Sequence, residues 1–111
     1  MWRKSSWAVL LSLGLGALLL AQPDTGTRSV EGRVLDSFGH IVVGAVVQIE
    51  DMKSLQVRSF ITQDAGAYHF VGLSPNADYE LTASKEGITS RVKDLRSSSS
   101  RKKTVIDLTL K

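Results

Sequence analysis

VEGRVLDSFGHIVVGAVVQIEDMKSLQVRSFITQDAGAYHFVGLSPNADYEL, residues 30–81, alternates short apolar runs with glycine-containing turns. From Val30 the period is two: Val30, Gly32 and Val34 share one face, and Glu31 and Arg33 the other. Successive side chains of a strand point to opposite faces, so this is the signature of a half-buried strand. Asp36-Ser37-Phe38-Gly39 then forms a turn, with Gly39 suited to positive φ. In the second strand Ala45, Val47 and Ile49 alternate with Val46, Gln48 and Glu50. After the polar break Asp51–Ser54, a third strand sets Leu55, Val57, Ser59 and Ile61 on one face and Gln56, Arg58 and Thr62 on the other. Gln63–Gly66 is a turn signal, and Tyr68 and Phe70 point together in a short fourth strand.

The pattern continues beyond this stretch. Leu73–Ala77 reads as a loop, and Tyr79, Leu81 and Ala83 alternate with Glu80, Thr82 and Ser84 in a fifth strand. Gly87 breaks that strand, and a weaker one runs from Ile88 to Leu95. Ser97–Ser100 is flexible by composition. The last strand places Ile106, Leu108 and Leu110 on one face. Seven short strands with no amphipathic helix predict an all-β fold, a seven-stranded antiparallel β-sandwich of two packed sheets.

The N-terminus has another character. Arg3 and Lys4 precede an apolar run from Trp7 to Ala21, and polar residues with Pro23 follow. This is the layout of a secretory signal peptide. The run is short against the ~20 residues of a membrane-spanning helix. Cleavage after Ala21 leaves Gln22 as the new terminus; a retained membrane anchor is the alternative. The expected organisation is a signal peptide over residues 1–21, a flexible leader over 22–29 and one β domain over 30–111. The protein is expected to be exported, to the periplasm or cell surface, with no stable membrane insertion once the signal is removed.

Composition narrows the function classes. The chain has no cysteine, so no disulfide supports a domain this small in an oxidising compartment. The formal charge of +3 falls to +1 when Arg3 and Lys4 leave, which gives no argument for a nucleic-acid partner. Both tryptophans, Trp2 and Trp7, belong to the signal. His40 and His69 have no paired ligand spacing, so no metal site, cofactor or catalytic residue is expected. Asp36 and Asp64 stand in glycine turns without a calcium-loop pattern, and such residues commonly bond their own backbone. Tyr68, Phe70 and Tyr79 belong to the core, which leaves Phe38 and Phe60 as candidate exposed rings. Between Lys85 and Lys103 basic residues dominate. Arg101, Lys102 and Lys103 therefore join Phe38 and Phe60 as the candidate ligand or partner surface, either as a patch for anionic polymers or as a charged sheet edge.

VEGRVLDSFGHIVVGAVVQI resembles the opening of the carboxypeptidase regulatory-like domains: a G-x-V strand, an Asp turn with Gly, then G-A-x-V. QDAGAYHFVGLSPNADYELTASKEGI resembles their continuation, with Gly66-x-Tyr68-x-Phe70, Leu73, a Pro75 loop, Tyr79-x-Leu81 and Gly87. Asp64 stands one residue closer to the glycine than in that pattern. Asn76-Ala77-Asp78 and Val43-Gly44 occupy positions where Pro-Gly is usual. The resemblance implies a transthyretin-like, prealbumin-type (Ig-like) fold grouped with the carbohydrate-binding-like folds. It also implies an accessory module of the cell envelope, without enzymatic activity, whose partner is an envelope or surface protein. The alternative it carries is a carbohydrate-binding module with a polysaccharide ligand.

Overall fold

The computed structural model describes residues 26–99 and 101–111; the expected signal and the first leader residues lie outside the described residues. The strands are β1 (Arg28–Leu35), β2 (Val46–Asp51), β3 (Val57–Ile61), β4 (Ala67–Leu73), β5 (Tyr79–Lys85), β6 (Ile88–Thr89), β7 (Lys93–Leu95), β8 (Lys103–Val105) and β9 (Leu108–Thr109). A 3-10 turn, Asp64–Gly66, precedes β4. One sheet has four strands in the order β4-β1-β8, with β9 also on β1. The other has five, β3-β2-β5-β6, with β7 also on β5. Both sheets feed one hydrophobic core: Val30, Val34, Tyr68, Phe70 and Leu108 from the first, and Val47, Ile49, Leu81, Ala83 and Leu95 from the second.

The all-β expectation holds, but the count of seven antiparallel strands becomes nine among the described residues, and two pairings are parallel. Two expected strands are each divided. Along β5 the register Ser84↔Thr89 becomes Leu81↔Lys93, so one extra residue sits between β6 and β7. Ser90 holds that bulge: its N–H donates to the Ala83 carbonyl at 2.8 Å and its Oγ accepts from the Ala83 N–H at 2.9 Å. The last strand runs parallel to β1, pairing Ser29↔Lys103 through Glu31↔Val105 and again Val34↔Leu108. The two segments share one register and are separated only at Ile106-Asp107.

The cause of that break is specific. The Ile106 N–H donates to the Glu31 carbonyl at 2.8 Å, as a ladder requires. Its carbonyl leaves the ladder and accepts from the Tyr68 hydroxyl. The Arg33 N–H bonds Asp107 Oδ1 at 3.0 Å, so a carboxylate stands in for the missing backbone acceptor. The redirected carbonyl lies over Gly32, where a Cβ would stand 1.8 Å from the Ile106 oxygen. Burial, with the Asp107 charge adding to it, pushes the Tyr68 hydroxyl above the ordinary tyrosine range, which keeps it a proton donor.

β3 is turned over relative to its sequence pattern. Its register with β2 is Val47↔Phe60 and Ile49↔Arg58. Because Val47 and Ile49 face the core, Phe60 and Arg58 share that face, and Val57 and Ile61 are 52% and 60% exposed. Apolar residues stand on both faces of VRSFI, so alternation alone does not choose between them. Tertiary partners decide. Phe60 packs at 6.2 Å from Phe70. Thr62 is buried; its Oγ1 accepts from the Ala45 N–H at 2.9 Å and donates to the Val42 carbonyl at 2.8 Å.

β1 begins at Arg28, two residues before the alternation is legible. Arg28 is only 5% exposed, and its guanidinium donates to three carbonyls: Arg96 at 2.7 Å, Ala77 at 2.8 Å and Ser74 at 3.2 Å. It thereby joins the start of β1 to the loops before β5 and after β7. The first residue of the serine tract is held nearby, where the Ser97 N–H donates to Asp78 Oδ1 at 2.6 Å.

Three substitutions test these contacts. Gly32→Ala forces the Ile106 carbonyl or β1 to move and is expected to cost about 2–3 kcal/mol. Tyr68→Phe loses one hydrogen bond and should cost about 1 kcal/mol. Urea unfolding midpoints test this ordering, and a Gly32→Ala midpoint equal to wild type contradicts the close approach. Arg28→Met should cost about 3 kcal/mol, because buried carbonyls lose a charged donor.

Candidate functional site

At one end of the molecule three segments meet. The first is the loop from β1 to β2. The Asp36 N–H donates to the His40 carbonyl at 2.8 Å and the Gly39 N–H to the Asp36 carbonyl at 3.0 Å. Asp36 Oδ1 accepts from the backbone N–H groups of His40 and Phe38, both at 2.9 Å. The carboxylate is thus the centre of the loop, as expected for an aspartate in a glycine turn. His40 Nδ1 lies 3.5 Å from the other carboxylate oxygen. With its backbone held this way, Phe38 projects outward and is 84% exposed.

The second segment is the β5–β6 hairpin. Glu86 and Gly87 both have positive φ, 52° and 83°, the pattern of a two-residue type I′ turn whose twist matches the flanking strands. Lys85 pairs with Ile88 across the turn. The Lys85 ammonium donates to the Val43 carbonyl at 2.5 Å, tying the hairpin to the first loop. The third segment is the end of the last strand, held by Leu110 N–H to the Leu35 carbonyl at 2.8 Å.

Between them lies an open groove of about 680 Å³, lined by Phe38, Val42, Ile88 and Leu110, with Asp36, Lys85, Glu86 and Lys111 among its polar residues. Ile88 is substantially exposed there. The Asp36 carboxylate is occupied by the loop backbone and the Lys85 ammonium by the Val43 carbonyl. The chemistry on offer is an apolar contact flanked by charges of both signs, without a nucleophile hydrogen-bonded to a base among the described residues.

The five residues singled out in the sequence fall in three places. Phe38 stands on the groove. Phe60 lies where β3 meets β4, half-buried, 5.0 Å from the His69 ring, while the Arg58 carbon stands 5.6 Å from the Phe70 centroid. Arg101, Lys102 and Lys103 are exposed on the approach to and start of β8, and Lys103 pairs with Glu31 at 3.1 Å. Sequence reasoning missed Val42, Lys85 and Ile88 as neighbours of Phe38. The available signal was Glu86-Gly87 between two alternating segments, a hairpin pattern rather than a strand end.

A family model for the carboxypeptidase regulatory-like domain matches residues 29–111. No curated protein is similar enough in sequence to serve as a relative. Among solved structures, a Streptococcal ancillary pilin superposes with a TM-score of 0.60 at 16% identity, covering 80% of this chain and 33% of the pilin. The C-terminal domain of a shaft pilin from Lactobacillus rhamnosus GG gives 0.51 at 11% identity, covering 77% of this chain and 98% of that domain. Catechol 1,2-dioxygenase from Acinetobacter sp. ADP1 gives 0.56 at 14% identity, covering 81% of this chain and 54% of the enzyme. The chain thus spans about half the length of the dioxygenase and a third of the ancillary pilin. Identities this low establish likeness of fold alone.

Hydrogen bonds from the backbone, led by His40 N–H, hold the Asp36 carboxyl below the usual carboxylate range. A lowered folded value contributes stability above the unfolded value, near 3.8, that is lost as pH falls through the folded one. In an amide-resolved pH titration, Phe38 and His40 should therefore move together with a midpoint below 3.8, and this transition should be absent in Asp36→Asn. Independent or unshifted midpoints contradict the loop geometry.

Proposed function

The chain belongs to the carboxypeptidase regulatory-like domain family, and from that premise we propose that it is an exported, non-catalytic accessory module of the cell envelope that works through contacts with an envelope or surface protein. The carrying observation is the groove at the Phe38 end. Its charged groups nearest the loop are spent on holding backbone, and what it presents outward is apolar surface. Apolar patches bordered by charge are typical of protein contact sites. The apolar run before Gln22 supports export, and the likeness to two pilins supports a surface setting. The likeness to dioxygenases, at 14% identity, is one of fold alone and carries no activity over to this chain.

A second reading, carbohydrate binding, rests on one observation, the outward Phe38 ring beside polar groups. A single test separates the two. Titration of the ¹⁵N-labelled protein with envelope polysaccharides should leave the Phe38, Lys85 and Ile88 amides unmoved. Solubilised envelope proteins should shift them, and Phe38→Ala should weaken that effect about tenfold or more. Polysaccharide-induced shifts at these amides would establish the carbohydrate reading instead. Export is checked by mass spectrometry of the secreted or periplasmic product: a terminus at Gln22 is expected, and cytosolic protein retaining Met1 would end that part of the proposal.

A further inference from the structure

We propose that β3 is a self-association seam, along which two copies pair antiparallel about a two-fold axis at Ser59. The ladder between β2 and β3 fixes which groups are free for this. The Thr62 N–H donates to the Ala45 carbonyl and the Asp51 N–H to the Gln56 carbonyl, each at 2.9 Å. Hydrogen-bonded positions alternate along an antiparallel pair. Phe60 and Arg58 therefore spend their backbone groups on β2, while those of Val57, Ser59 and Ile61 point away from it. Among the described residues β3 has no second strand partner.

The other edges carry features that hinder pairing. β4 is bulged at Val71-Gly72, where its register with β1 shifts, and its Val71 carbonyl accepts from the Arg58 guanidinium at 2.8 Å. β8 is approached through Arg101 and Lys102 and opens with Lys103. β6 is two residues long, and a bulge separates it from β7. Bulges, lysines and short strands are the usual means of preventing edge-to-edge association. VRSFI has no lysine, proline, glycine or bulge, and it exposes two branched apolar side chains.

The occupant argued for is a second copy of the same strand. Centring the pair on Ser59 sets Val57 opposite Ile61 of the second copy, and the reverse. Each such pair lies beside Val46, which neighbours Ile61 within its own sheet. Lys53, in the turn before β3, and Asp64, beyond its end, are both exposed and of opposite sign, and an antiparallel pairing sets the Lys53 end of one strand toward the Asp64 end of the other, twice over. Backbone, apolar and charged groups are thus self-complementary in a single register, as an isologous two-fold contact requires. This inference uses surfaces remote in sequence from the Phe38 groove and does not rest on the proposed function.

Charge reversal at the axis tests it. Light scattering after size exclusion should show wild type as a dimer at hundreds of micromolar. Ser59→Lys and Ser59→Glu, each alone, place like charges face to face and should weaken association about 100-fold. Mixing the two variants should restore the dimer. Amide spectra of both variants, dispersed as in wild type, establish that they fold. Hydrogen exchange on wild type is a further check: Val57, Ser59 and Ile61 amides should be protected when concentrated and exposed on dilution. A wild type monomeric throughout, including one whose β3 accepts a strand from a different protein, overturns the proposal. So does a dimer indifferent to both substitutions, or one that mixing fails to restore.

Discussion

The Ile106 carbonyl, turned out of its ladder over Gly32 and onto the Tyr68 hydroxyl, is the contact on which the first sheet depends. It joins three strands at one point: β1 through the bare Gly32 backbone, β4 through Tyr68, and the last strand through the carbonyl itself. Its consequences extend outward. Asp107 is recruited to satisfy the Arg33 N–H, β8 and β9 are separated, and the chain resumes its register to carry Leu108 and Leu110 into the core. The same resumption delivers Thr109–Lys111 to the groove beside Phe38.

Polar side chains complete what the ladders leave open. Thr62 serves the Ala45 N–H and the Val42 carbonyl where β2 begins, and at the bulge between β6 and β7 Ser90 Oγ accepts from the Ala83 N–H and donates to the Arg91 carbonyl. Arg28 gathers three loop carbonyls that have no strand to receive them. Buried backbone groups left unpaired are costly, so these side chains are structural in the same sense as the core. A domain without disulfides depends on them all the more.

A fold shared with pilins and with a dioxygenase says little about activity, because function resides in the sites a fold carries. In this molecule the distinctive surfaces are loops and edges. The groove is built by an Asp-centred loop, a type I′ hairpin and a strand terminus, with Leu110 and Val42 joining its floor to the core. The flank between β3 and β4 is closed on its inner side by Phe60, Phe70 and Arg58 and leaves branched apolar side chains outside.

Period-two alternation in residues 30–34, 45–50 and 79–84 is legible because each strand there has one apolar face, so burial follows from local pattern alone. The Asp36 turn is legible for a similar reason, since its bonds close within a few residues. Phe38 could be placed outward because no apolar alternation claims it. The orientation of β3 was decided only in three dimensions, because VRSFI offers apolar residues to both faces and the β2 register chooses between them. The same is true of Arg28 and Thr62, whose polar character marks them as exterior until distant carbonyls and amides are brought to them. Local sequence thus determined which segments are strands and where most turns lie. Tertiary structure decided strand direction at the C-terminus, the inner face of β3 and the assembly of the groove, because each depends on partners far away along the chain.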